Sequence, residues 1–168
     1  QLGTSGDDFG YDMSVDSSDN IYVTGRTYGG LDGNTNSGGY DIFIVKYNSS
    51  GTKQWTKQLG TSDNESGGSV KVDSSYNFYL AGITKGGFDN NTNSGGDDIF
   101  LVKYNSSGIK QWTKQFGTSD NDSGSRVVLD SSNNIFVGGH TEGGLDSNTN
   151  SGEKDIFLMK FNSDGVKQ

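Results

Sequence analysis

The segment Asp32-Gly33-Asn34-Thr35-Asn36-Ser37-Gly38-Gly39-Tyr40-Asp41 sets side-chain oxygens at its first, third, fifth and tenth positions. The same order returns in Asp89, Asn91, Asn93 and Asp98, and again in Asp146, Asn148, Asn150 and Asp155. Hard oxygen donors at alternate positions of a tight loop open a calcium-binding loop. The pattern departs from the EF-hand, whose glycine is sixth and whose bidentate glutamate is twelfth. Two readings stand side by side: a Ca2+ site in each loop, or a metal-free loop held by Asx turns. On the first reading the second loop binds most tightly, because Asp97 adds a carboxylate where the other loops carry Tyr40 and Lys154.

Other residues that could do chemistry do not assemble into a set. His140 is the only histidine, and nothing in the sequence places a nucleophile and an orienting acid beside it. The expectation is therefore a protein that is not an enzyme. Trp55 and Trp112 could stack on sugars, but on alternating strands they are expected to pack inside. Sequons at Asn48, Asn64, Asn90, Asn105 and Asn121 could carry glycans in a secreted chain. A net charge of −8 argues against nucleic acid as a partner, which calls for a basic face. No apolar run is long enough to span a membrane, and the absence of cysteine excludes a disulfide framework.

The elements that carry these loops come from a repeat. Gln1-Leu2-Gly3-Thr4-Ser5 returns as Gln58-Leu59-Gly60-Thr61-Ser62 and as Gln115-Phe116-Gly117-Thr118-Ser119, a period of 57 residues. The units are 1–57, 58–114 and a shorter 115–168. Within the first, Asp12 to Val15 reads as a short strand closed by the turn Asp16-Ser17-Ser18-Asp19-Asn20. A second strand, Ile21 to Thr24, is broken by Gly25. A third, Ile42 to Tyr47, turns at Asn48-Ser49-Ser50-Gly51 into a fourth, Lys53 to Leu59. The hydrophobic fraction of 29% is low, yet it is concentrated in these strands.

The third strand decides the architecture. A half-buried strand alternates, whereas Ile42-Phe43-Ile44-Val45 is apolar on both faces. Each four-stranded antiparallel sheet must then be covered on both sides, as the blades of a β-propeller are. A β-solenoid, the structural rival, would use shorter coils with less hairpin chemistry. Val15-Asp16-Ser17-Ser18-Asp19-Asn20-Ile21-Tyr22-Val23-Thr24-Gly25 resembles the core motif of the bacterial and archaeal surface repeats described as seven-bladed β-propeller repeats. Asp41-Ile42-Phe43-Ile44-Val45-Lys46-Tyr47-Asn48 is similar to that family's following strand and turn. The resemblance implies an all-β propeller fold and a secreted or cell-surface protein of mostly unassigned role. The three copies of the unit set three blades here, and their near-identity favours a structural or assembly module, since a lattice or fibre reuses one surface.

Antiparallel order puts the long loop Tyr28 to Tyr40 on the same side as the acidic segment that opens each unit. That segment reads Gly6-Asp7-Asp8, Asp63-Asn64-Glu65 and Asp120-Asn121-Asp122. Gly165-Val166-Lys167-Gln168 begins a fourth strand of the third unit. Three blades are too few to close a ring, so the expected partners are further repeats or copies of the chain, in a ring or a filament. A glycan or protein held on the long-loop face is the alternative.

Overall fold

The computed structural model describes residues 1–168, apart from the side chain of Ser125. The first sheet runs in the order β1 (Asp8–Val15), β2 (Ile21–Thr27), β3 (Asp41–Tyr47), β4 (Lys53–Leu59), and every pairing is antiparallel. The second repeats it with β5 (Glu65–Val72), β6 (Phe78–Thr84), β7 (Asp98–Tyr104) and β8 (Lys110–Phe116). The third holds β9 (Asp122–Leu129), β10 (Ile135–Thr141) and β11 (Asp155–Phe161). Beyond β11 the chain turns back and Lys167 bridges to Phe161, where a fourth strand would start. The fold is all-β, and its three sheets are propeller blades.

Two strands run further than the sequence indicates. The first begins at Asp8 rather than Asp12, because a bulge between Gly10 and Asp12 shifts the register and erases the alternation that marks a strand. The second does not end at Gly25 but continues to Thr27. A Cβ on Gly25 would lie 1.8 Å from the carbonyl oxygen of Phe9. The glycine is there because the bulged β1 crowds it, not because the strand stops.

The two-faced third strand behaves as expected. Ile42 and Ile44 pack with Val70, Phe78, Leu80, Phe100 and Val102 of the second blade. On the opposite face of β3, Phe43 and Val45 join Leu31 in a separate cluster. One step along, Ile99 and Leu101 meet Val127, Ile135, Val137 and Met159 of the third blade. The blades therefore stack face on face, with β5 against β1, β2 and β3, and β9 against β5, β6 and β7.

Stacking leaves two end faces. Ile156 and Leu158 stand where Ile42 and Ile44, or Ile99 and Leu101, are fully buried, yet they are 93% and 72% exposed. They flank a groove of 460 Å³ that also includes Leu145, Asp155 and Met159. At the other end Met13 and Val15 are exposed, while Val70 and Val127, which match Met13 in the repeat, are buried.

Candidate functional site

Each Asp/Asn-rich loop opens with a 3-10 turn, at Leu31–Gly33, Phe88–Asn90 and Leu145–Ser147. Asp32, Asp89 and Asp146 sit there at φ of 54°, 52° and 55°. Aspartate tolerates this left-handed region better than most residues, which gives the first loop position a backbone reason to be Asp. Their carboxylates turn outward to the fourth strand. Asp32 pairs with Lys53 and accepts from Thr56 Oγ1 at 2.7 Å, Asp89 engages Lys110 and Thr113, and Asp146 engages Lys167.

The amides serve the loop itself. Asn34, Asn91 and Asn148 donate through Nδ2 to the carbonyls of Leu31, Phe88 and Leu145 at 2.8, 2.7 and 2.8 Å. Asn36, Asn93 and Asn150 accept through Oδ1 from the backbone N–H of Gly38, Gly95 and Gly152 at 2.9, 2.8 and 2.8 Å. These are Asx turns. Asp41, Asp98 and Asp155 accept through Oδ2 from Ser37, Ser94 and Ser151 N–H. Asp41 and Asp98 also accept from Gln58 and Gln115 Nε2, each at 3.0 Å. The first and tenth positions thus address different stretches of the fourth strand, Lys53 and Thr56 against Gln58. The set of four oxygens foreseen for each loop is divided among separate partners. Among the described residues no group of three or more His, Cys, Asp or Glu is placed to hold a metal.

What the structure does bring together lies at the joint between blades. The long loop of one unit is stitched to the acidic segment of the next: Glu65 N–H donates to Tyr40 O at 2.7 Å, and Asp122 N–H to Asp97 O at 2.7 Å. This seats Glu65 beside Asp41 and Asp122 beside Asp98, all four buried. A Cβ on Gly60 would fall 2.1 Å from Asp41 Oδ1 and 2.7 Å from Glu65 Oε2, so both oxygens converge on one small spot. Gly117 stands likewise, at 2.2 Å from Asp98 Oδ1 and 2.9 Å from Asp122 Oδ2. Thr61 N–H, Thr61 Oγ1 and Thr84 Oγ1 donate to Glu65 at 2.7, 2.6 and 2.8 Å. Burial, with Asp41's charge adding to it, still holds the Glu65 carboxyl above its ordinary value against those hydrogen bonds. Sequence reasoning placed the acidic segment on the right side but did not single out its third residue. The signal was present: in a segment that otherwise drifts, that position is always acidic, as Asp8, Glu65 and Asp122.

The remaining candidates lie within the sheets. Trp55 stacks on Phe78 of the next blade with ring centroids 5.5 Å apart, and Trp112 lies 6.2 Å from Tyr79. His140 sits in β10 opposite Ile156 and Ser123. Asp12 reaches across the first joint, accepting from Ser69 Oγ at 2.9 Å and Val70 N–H at 3.1 Å, with Lys71 Nζ at 3.4 Å.

Blade architecture and repeat together define a β-propeller repeat protein. Residues 1–32 and 111–151 match the family model of the SBBP beta-propeller repeat. It is 29% identical over 165 residues to the "Regulatory protein FlaEY" of Caulobacter vibrioides, an alignment covering 88% of this chain and 17% of that protein. It is also 28% identical over 146 residues to an "Uncharacterized WD repeat-containing protein" of Acanthamoeba polyphaga mimivirus, covering 77% of this chain and 10% of that protein. The chain spans less than a fifth of the length of either relative.

Proposed function

We propose that this chain is a non-enzymatic structural and assembly module of a secreted or cell-surface protein. Each end face takes another blade of the same kind, from further repeats of a longer chain or from a second copy. One observation carries the reading. Ile156 and Leu158 are exposed at the very positions that are fully buried in the two preceding blades. A face that is covered twice within the chain is shaped for a third cover, and an apolar patch of this kind seeks a partner. The joint has matching polar halves as well. Asp155 lines the groove at one end, and Asp8, counterpart of Glu65 and Asp122, lines the groove of 230 Å³ at the other. Contact between unlike ends is heterologous and produces rings or filaments.

Light scattering tests this directly. The chain at micromolar concentration is expected to associate, and the double variant Ile156→Asp, Leu158→Asp is expected to remain monomeric. A wild-type chain that stays monomeric throughout the concentration range refutes the assembly reading.

A second reading rests on the first blade, where exposed Tyr28 lies edge-on to Tyr40 at 5.1 Å on the long-loop side. Aromatic pairs of this sort suit a glycan or a protein loop. Glycan-array binding that is abolished by Tyr28→Ala would favour it.

A further inference from the structure

The two blade joints are built alike but finished differently, and the second holds an excess of oxygen. At the first joint, Glu65 reaches far enough for both of its oxygens to meet donors, and only Asp41 Oδ1 is buried without one. At the second joint the shorter Asp122 takes Glu65's place. Its Oδ2 accepts from Thr118 N–H and Thr118 Oγ1, while Thr141 Oγ1, in the position of Thr84, donates to the Gly143 carbonyl instead. Asp122 Oδ1 and Asp98 Oδ1 are therefore both buried and meet no donor. Both residues are 0% exposed. Asp98 Oδ1 and Asp122 Oδ2 converge over Gly117, where no side chain could be accommodated.

Two adjacent carboxylates fully removed from water repel each other, and each carries a large desolvation cost unless neutralised. A proton shared between Asp98 Oδ1 and Asp122 Oδ2, the two oxygens that converge, would leave Asp122 Oδ1 without a partner. A divalent cation seated where Asp98 Oδ1 and Asp122 Oδ2 converge would take one oxygen from each and, if Asp122 binds it bidentately, Asp122 Oδ1 as well. Hard, all-oxygen donors select calcium or magnesium over softer metals, and calcium's flexible shell accepts a bidentate carboxylate where magnesium demands near-ideal octahedral geometry.

We propose that the joint between the second and third blades is a divalent-cation site, with Asp98 and Asp122 as its carboxylate ligands and calcium as the natural occupant. The cation clamps the long loop before β7 to the start of β9, and so fastens one blade to the next. This site differs from a calcium loop built of Asp89, Asn91, Asn93 and Asp98, because it takes Asp98 alone from that loop and its second carboxylate from the following unit. It does not depend on the assembly reading, since both ligands belong to one chain.

The test is thermal unfolding of the whole chain in chelator and in 10 mM calcium. With two carboxylates the affinity is expected on the order of 10⁻⁴–10⁻³ M. Calcium should then raise Tm by about 3–11 °C. Asp98→Asn and Asp122→Asn should each abolish that shift. Asp98→Asn should also raise Tm in chelator, because it removes one of two facing charges and its amide can donate to the Asp122 carboxylate. Asp41→Asn at the first joint and Asp89→Asn in the loop should both retain the calcium shift. Three results would overturn the proposal: no calcium shift in the wild-type chain, a shift that survives in both Asp98→Asn and Asp122→Asn, or a shift lost in Asp89→Asn.

Discussion

Asp16 shows how much one side chain organises. Its Oδ1 accepts the backbone N–H groups of Ser18 and Asn20 at 2.9 and 3.0 Å, and its Oδ2 accepts Asn20 Nδ2 and Tyr22 OH. Burial pushes its carboxyl up, but the hydrogen bonds from Asn20, Ser18 and Tyr22 outweigh it and hold the group below its usual value of 3.8. A depressed folded-state pKa contributes stability that is complete above the unfolded pKa and is lost as pH falls through the folded one. Asp16→Ala is therefore expected to cost about 1–3 kcal/mol at neutral pH, with the gap to wild type closing below about pH 4. Urea titrations at pH 7 and pH 3 measure both arms; an undiminished gap at pH 3 would show that the charge is not what matters. Such turns were legible in the sequence, since an aspartate and the amides it binds lie within four residues. The pairing of Glu65 with Asp41 and of Asp122 with Asp98 was not: the acidic position recurs in every unit, but its partner lies in the preceding unit and no local pattern reports a contact across a joint.

At the scale of the strand, equal residues have unequal worth. Leu101 in β7 and Leu158 in β11 hold the same place in the repeat, yet the first is fully buried and the second is exposed. Leu101→Ala should cost about 2–5 kcal/mol through lost burial and a residual cavity. Leu158→Ala should stay within about 0.5 kcal/mol in the monomeric chain, as surface substitutions do. Urea unfolding of the two variants at low concentration checks the contrast, and equal costs would mean that the last blade is covered by something other than solvent. The third and fourth strands could be read to within a residue, because Ile42 to Val45 of β3 is continuously apolar and a tight turn with Gly51 marks where β4 begins. The first strand was read short, since its opening residues are bulged and have drifted between units. Gly25 misled for a related reason: a glycine demanded by a neighbouring backbone looks, in one dimension, like a glycine that ends a strand.

Across the whole molecule, the middle blade is the one covered on both faces. Val70, Phe78, Leu80 and Phe100 are buried against the first blade, and Tyr79, Ala81, Ile99 and Leu101 against the third. Repeat arrays of this type derive stability from each unit and each joint. Amides of β6 and β7 should therefore exchange with solvent most slowly, and those of β1 and β11 fastest, in hydrogen-exchange measurements. Uniform protection across the three sheets would mean that the blades unfold only together. Units this similar also face a hazard of mistaken identity, in which a strand of one settles into its twin's position. Asp12 bears on that hazard. It reaches Ser69, Val70 and Lys71 at the first joint, whereas the residue one unit later is Ser69, which has no charge to offer Arg126. The first joint is thus a keyed connector and the second an unkeyed one. A chain of near-copies gains from this single carboxylate a sense of which blade comes first.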